Sequence, residues 1–139
     1  MARNTISIAY VKRLLAGAAR EGVSLADIFH DAGLEPGLLE QPEAGLATRD
    51  FIRLLQTVMR RTEDEFIGLG RGTKSKPGTF SMMAHAVINS PTLEKAILRS
   101  AQFYQLFDLP LKSQLERGEV ESRLVMTTPA VASSSSPAT

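Results

Sequence analysis

Cysteine and tryptophan are absent from this chain. Without cysteine there is no disulfide, no thiol nucleophile and no thiolate metal site. Histidine is nearly absent: His30 and His85 are the 2 histidines in 139 residues, too few for a zinc site, and no His-rich spacing exists. An excess of either charge is missing too, since 16 Lys+Arg face 15 Asp+Glu for a formal net charge of +1. That balance gives no general reason to expect nucleic-acid or membrane binding. No apolar run approaches the roughly 20 residues that span a bilayer. Nor does Met1-Ala2-Arg3-Asn4-Thr5 lead into a secretion core, because Lys12 and Arg13 interrupt it. The chain therefore reads as cytoplasmic, with no membrane partner.

What is present is an ordinary globular composition, 43% hydrophobic and 22% charged, enough for one domain. Charge is unevenly spread. Between Glu21 and Glu43 stand Glu21, Asp27, Asp31, Glu35, Glu40 and Glu43 with no Lys or Arg; between Arg71 and Lys76 stand Arg71, Lys74 and Lys76 with no acid. Such runs are usually solvated surfaces. The sharper alternative is that Arg71, Lys74 and Lys76 meet an anionic ligand or the acidic segment.

Ile8, Val11, Leu14, Leu15 and Ala18 recur at helical spacing, predicting an amphipathic helix over residues 7–20 that stops at Gly22. Ser24 caps a second helix, with Leu25, Ile28 and Phe29 inward and Gly33 at its end. Glu35 to Leu39 reads as a turn into one helical turn, and Gln41 to Gly45 as loop. Thr48 caps a strong helix carrying Phe51, Ile52, Leu54, Leu55, Val58 and Met59. Thr62-Glu63-Asp64-Glu65 reads as a capping box for a further helix with Phe66, Ile67 and Leu69. Phe80 to Ile88 is apolar nearly all round and predicts a buried helix. Ser90 or Thr92 caps the last long helix, with Pro91 in its first turn.

The period then changes from helical to alternating. Leu111, Ser113 and Leu115 alternate with Lys112, Gln114 and Glu116; Arg117-Gly118-Glu119 is a turn, and Val120 to Met126 is a second strand. This predicts a β-hairpin, and an isolated hairpin needs more sheet or helices to cover it. Residues 129–139 are low in complexity and read as a disordered Ser-rich tail, like a linker or an out-of-frame end. The expected fold class is α+β: a mainly helical N-terminal bundle followed by a β-hairpin, part of a larger α+β domain that is cut short.

Catalytic motifs are scarce. Gly68, Gly70 and Gly72 lack the Gly-Lys-Ser/Thr ending and the preceding strand of a phosphate loop, so a helix end is the plainer reading. Ser81 and His85 lie one helical turn apart, a candidate nucleophile–base pair of a small hydrolase without a third orienting group nearby in sequence. A lone His in a buried helix is more often a hydrogen-bonded core residue. The expectation is therefore no enzyme, no cofactor and no metal. A helix-turn-helix reading of Ser24 to Leu39 fails on charge, because a recognition helix facing phosphates should be basic. Phe80, Met82, Met83, His85, Phe103, Tyr104 and Phe107 are the candidate ligand-binding residues; methionine adapts to varied ligands, although the same spacing serves plain core.

Four pieces stand in a fixed order: Gly68-Leu69-Gly70; Lys76-Pro77-Gly78-Thr79-Phe80; Asn89-Ser90-Pro91-Thr92-Leu93 with Ala96-Ile97; and Phe103-Tyr104-Gln105-Leu106-Phe107. With Leu25 to Leu34 upstream, this set resembles the N-terminal regulatory, arabinose-binding-like domain of AraC-family bacterial transcription regulators, over residues 7–126. Ser81-Met82 and Gln102-Phe103 depart from residues common in that family. The resemblance implies that residues 1–128 are an incomplete regulatory domain, lacking later strands and the C-terminal helix-turn-helix domain. It implies a domain that senses a small-molecule effector or forms a homodimer, and that reaches DNA solely through the absent domain. The alternative is a stand-alone helical protein-interaction module without ligand.

Overall fold

A computed structural model describes residues 4–71 and 73–128. Met1 to Arg3, Gly72 and the Ser-rich tail expected at 129–139 lie outside the described residues. The chain divides into two compact units, Met1–His85 and Ala86–Thr139.

The first unit opens with strand β1 (Thr5–Ser7), helices α1 (Ile8–Leu14), α2 (Ala16–Arg20) and α3 (Leu25–Asp31), and a 3-10 turn at Pro36–Glu40. Strand β2 (Gly45–Ala47) and helix α4 (Thr48–Thr62) follow. The helical stripe is present but divided: Leu15 leaves helical geometry between α1 and α2, while Ile8, Val11, Leu15 and Ala18 all remain fully buried. Ser7 Oγ accepts the Tyr10 N–H and Ser24 Oγ accepts the Asp27 N–H, so the first and third helices start on hydroxyl caps. Gly22 and Gly33 end their helices with φ of 87° and 71°, angles that glycine adopts without a Cβ clash.

The β1–β2 ribbon is an element that sequence reasoning left as loop. Thr5, Ile6 and Ser7 pair antiparallel with Ala47, Leu46 and Gly45. Gly45 is required here, because a Cβ would lie 2.8 Å from the Thr5 Cβ. The core joins Ile8, Val11, Leu15, Ile28, Phe29, Leu39, Leu46, Leu54, Val58 and Ile67. At ~1.5–3 kcal/mol for each fully buried aliphatic or aromatic side chain, this cluster dominates the stability of the unit.

Two cap expectations are corrected. Thr48 lies inside α4, whose N-cap is Ala47 without a side-chain bond. Thr62-Glu63-Asp64-Glu65 starts no helix: Thr62 is the last residue of α4, bonding through Oγ1 to Val58 O at 2.8 Å, and Glu63 is its left-handed C-cap. A buried threonine hydroxyl satisfied by the preceding turn cannot cap a following one. Residues 65–71 are turns, with Ile67, Gly68 and Arg71 at positive φ. The unit ends in α5 (Thr79–Val87), which crosses the unit boundary.

The prediction of a buried helix over Phe80–Ile88 is also corrected. No residue of α5 is buried; Phe80 is 61% and Met82 66% exposed. An all-round apolar surface states what could be buried, and burial still needs a neighbour to cover it.

In the second unit, α6 (Leu93–Gln105) begins at Thr92, whose Oγ1 accepts the Lys95 N–H, so Pro91 precedes the cap instead of occupying the first turn. Strands β3 (Lys112–Arg117) and β4 (Ser122–Thr127) form the expected hairpin, with Leu115 opposite Leu124 and Ser113 opposite Met126. The second strand begins later than expected, leaving Val120 in the exposed turn region. Helix α6 packs on β3, and the Glu94 carboxylate pairs with Arg117. The fold class is thus α+β, six helices and two antiparallel ribbons among the described residues.

Candidate functional site

Two adjacent carboxylates organise the loop between α4 and α5. Asp64 is fully buried, and its oxygens accept N–H bonds from Phe66 (2.9 Å), Gly68 (2.9 Å) and Ser75 (2.8 Å). A buried carboxylate holding three amides fixes the turn it closes, because those donors have no other acceptor inside the fold. Glu65 reaches onward to the start of α5, accepting from Gly78 N (2.6 Å) and Phe80 N (3.0 Å). It thereby serves as an N-terminal cap supplied from a distant turn, where the helix end carries partial positive charge. The turn also presses on α2: a Cβ at Gly17 would stand 2.4 Å from Gly68 O, so the two backbones meet with glycine on both sides.

Of the basic cluster, Lys74 meets the acidic segment. Its ammonium donates to Thr62 O at 2.9 Å and stands 3.9 Å from the Glu21 carboxylate. Arg71 lines a small cleft of 170 Å³ with Arg20, Glu21, Gly17 and Gly68.

The Ser81–His85 pair is not a catalytic arrangement. His85 is exposed, and its Nδ1 lies 2.7 Å from the backbone oxygen of Ser81. A carbonyl oxygen only accepts, so Nδ1 carries the proton and serves as a donor here. It is directed at the main chain instead of the hydroxyl it would have to deprotonate.

The second unit holds a groove of 310 Å³ where the C-terminal end of α6 faces the start of β3. Ala101, Tyr104, Phe107, Leu109 and Leu111 supply its apolar walls; Gln105, Asp108, Lys112 and Ser113 supply its polar ones. This volume falls at the lower end of small-molecule sites, ~300–1,000 Å³, and the lining is about as polar as it is apolar. Phe103 stacks edge-on against Tyr104 at 5.5 Å and lies 5.4 Å from Phe107, so three aromatic rings support one side. Leu109, which also lines the groove, is the one buried residue among the described residues of this unit.

Tyr104 and Phe107 therefore line the groove, and Phe103 stands behind them. Phe80, Met82, Met83 and His85 lie on α5, in the first unit. Sequence reasoning missed Asp108, Lys112 and Ser113; the change of period between Phe107 and Leu111 is the signal that marks the spot, since it places a connecting segment there and binding residues are disproportionately on such segments.

Residues 22–136 match the family model described as the arabinose-binding domain of AraC transcription regulators, N-terminal. The chain belongs to that family. The ornithine utilization regulator of Pseudomonas aeruginosa is 29% identical over 131 residues, 93% of this chain and 39% of that protein. HTH-type transcriptional regulators of Mycobacterium bovis and Mycobacterium tuberculosis are each 27% identical over 99 residues, 70% of this chain and 29% of theirs. The chain thus spans well under half the length of these curated relatives. No solved structure matches at a significant level. The family and these relatives are transcription regulators, not enzymes, and this arabinose-binding-type domain is a regulatory domain. Among the described residues no helix is long and apolar enough to cross a membrane.

Proposed function

We propose that this chain is the effector-sensing domain, the dimerisation domain, or both, of a cytoplasmic bacterial AraC-type regulator. It acts on a helix-turn-helix DNA-binding domain supplied by a longer polypeptide. The observation that carries this reading is the groove between α6 and the hairpin, set in a domain of the arabinose-binding family. An effector bound there shifts the balance between two domain states, by no more than its difference in affinity for them. Tyr104 and Phe107 are the first residues we assign to ligand contact, with Phe103 as their support. Phe80, Met82, Met83 and His85 are assigned to the same sensing role through α5, whose cap on Glu65 ties it to the first unit's core.

The test is thermal unfolding of the chain against a panel of metabolites that includes L-ornithine and L-arabinose. A ligand that binds only the folded state stabilises it by about 2.7 kcal/mol at a hundred times its Kd. Stabilisation that disappears in Tyr104→Ala supports the sensor. A second reading, an interaction module without ligand, is favoured by the exposed Phe80, Met82, Leu93 and Leu106. No stabilisation by any metabolite, together with a concentration-dependent mass, selects that module.

A further inference from the structure

Within the sensor reading, on which this step rests, the charges at the groove specify the ligand's chemistry. We infer that the groove binds a small zwitterion of the α-amino-acid class, its ammonium toward Asp108 and its carboxylate toward Lys112. Both residues line the groove, and neither has an ion-pair partner among the described residues.

They also do not neutralise one another. Asp108 and Lys112 are separated by Leu109-Pro110-Leu111, in which Leu109 is buried and Pro110 fixes its own φ. That short, anchored connection holds an acid and a base at one opening without an N–O contact within bonding distance. The negative side is reinforced by the end of α6. Gln105 is the helix's last residue and lines the groove. The closing carbonyls of a helix of this length carry partial negative charge and favour a cation. The positive side has no such helix end, only the Lys112 ammonium at the start of β3. A ligand with a single charge would therefore leave one of the two groups unmatched, and a neutral one would leave both. The apolar walls of Tyr104, Phe107 and Leu111 then receive the ligand's side chain.

The test is calorimetric titration of the full chain at low salt with L-leucine, its decarboxylated amine and its deaminated acid, beside L-ornithine and L-arabinose. The expected result is that an amino acid binds and that each singly charged analogue binds at least about tenfold more weakly. Asp108→Asn should erase the preference for the amino acid over the deaminated acid. Lys112→Gln should erase the preference over the amine. Both side chains are exposed, so far-ultraviolet circular dichroism should be unchanged in either variant and the loss can be read as recognition. Equal binding of the amino acid and its singly charged analogues overturns the zwitterion and leaves the sensor standing. So does tighter binding of the neutral sugar. Absence of binding by every probe overturns both.

Discussion

Residues 4–85 and residues 86–128 draw on similar amino acids and use them differently. In the first stretch Ile8, Phe29, Leu54 and Val58 are fully buried in one cluster. In the second, Leu93 is 77% and Leu106 81% exposed, and burial is confined to Leu109. The contrast does not come from hydrophobicity, since both stretches carry apolar helices. It comes from how many elements meet. Around Phe29 the helix α3 has α4 and the 3-10 turn against it, whereas α6 packs chiefly on β3, with Arg99 reaching back to Ala86 O at 3.5 Å. A helix needs covering on a face about 100° wide, and one strand leaves part of it open. Stability is thus concentrated in the first unit and accessible surface in the second, which is where a binding groove can form.

The comparison breaks most visibly through paired truncations. Phe29→Ala should lower the unfolding free energy by about 3–5 kcal/mol, as a fully buried aromatic leaves a cavity. Met126→Ala, on an exposed position of β4, should stay within about 0.5 kcal/mol. Urea unfolding of both variants reads the difference, and equal losses would falsify the division of stability between the units.

A smaller effect is expected at Asp64. Asp64→Ala strands the amides of Phe66, Gly68 and Ser75 and should destabilise by about 3 kcal/mol in the same assay. Asp64→Asn should recover part of that loss, because its single carbonyl oxygen can still serve Phe66 and Ser75, both held by Oδ1. If Asn and Ala behave alike, the amide bonds are not what the carboxylate contributes.

The smallest effect is local. Glu65→Ala removes the acceptor for Gly78 and Phe80 and should cost about 1 kcal/mol, the scale of a lost helix cap. Hydrogen exchange should quicken at those two amides while the core amides of α4 keep their rates. Unchanged exchange at Gly78 and Phe80 would mean that α5 holds its start by itself.

Much of the first unit was legible in the sequence because its signals are local and redundant. Ser24 before an apolar stripe, or a periodic stripe such as Ile8 to Ala18, with glycine at the stop, defines a helix from neighbouring residues alone. The alternation from Leu111 to Met126 was equally clear, as period two needs only the strand itself. What escaped was non-local. The pairing of Thr5–Ser7 with Gly45–Ala47 joins segments about forty residues apart that are each too short to show a period. At Thr62-Glu63-Asp64-Glu65 the capping-box pattern was genuine as a string, yet Thr62 was already engaged by Val58 O and Asp64 by three amides that follow it.

The sequence by itself determined the family, the α+β class, most helix starts and stops and the lack of thiol chemistry, because each depends on residue identity or on spacing within a few turns. Only the tertiary structure decided that α5 lies uncovered, that Asp64 and Glu65 tie a loop and cap a distant helix, and that Asp108 and Lys112 flank one groove. Burial and charge pairing depend on which surfaces meet, and that is a property of the folded chain that no single segment carries.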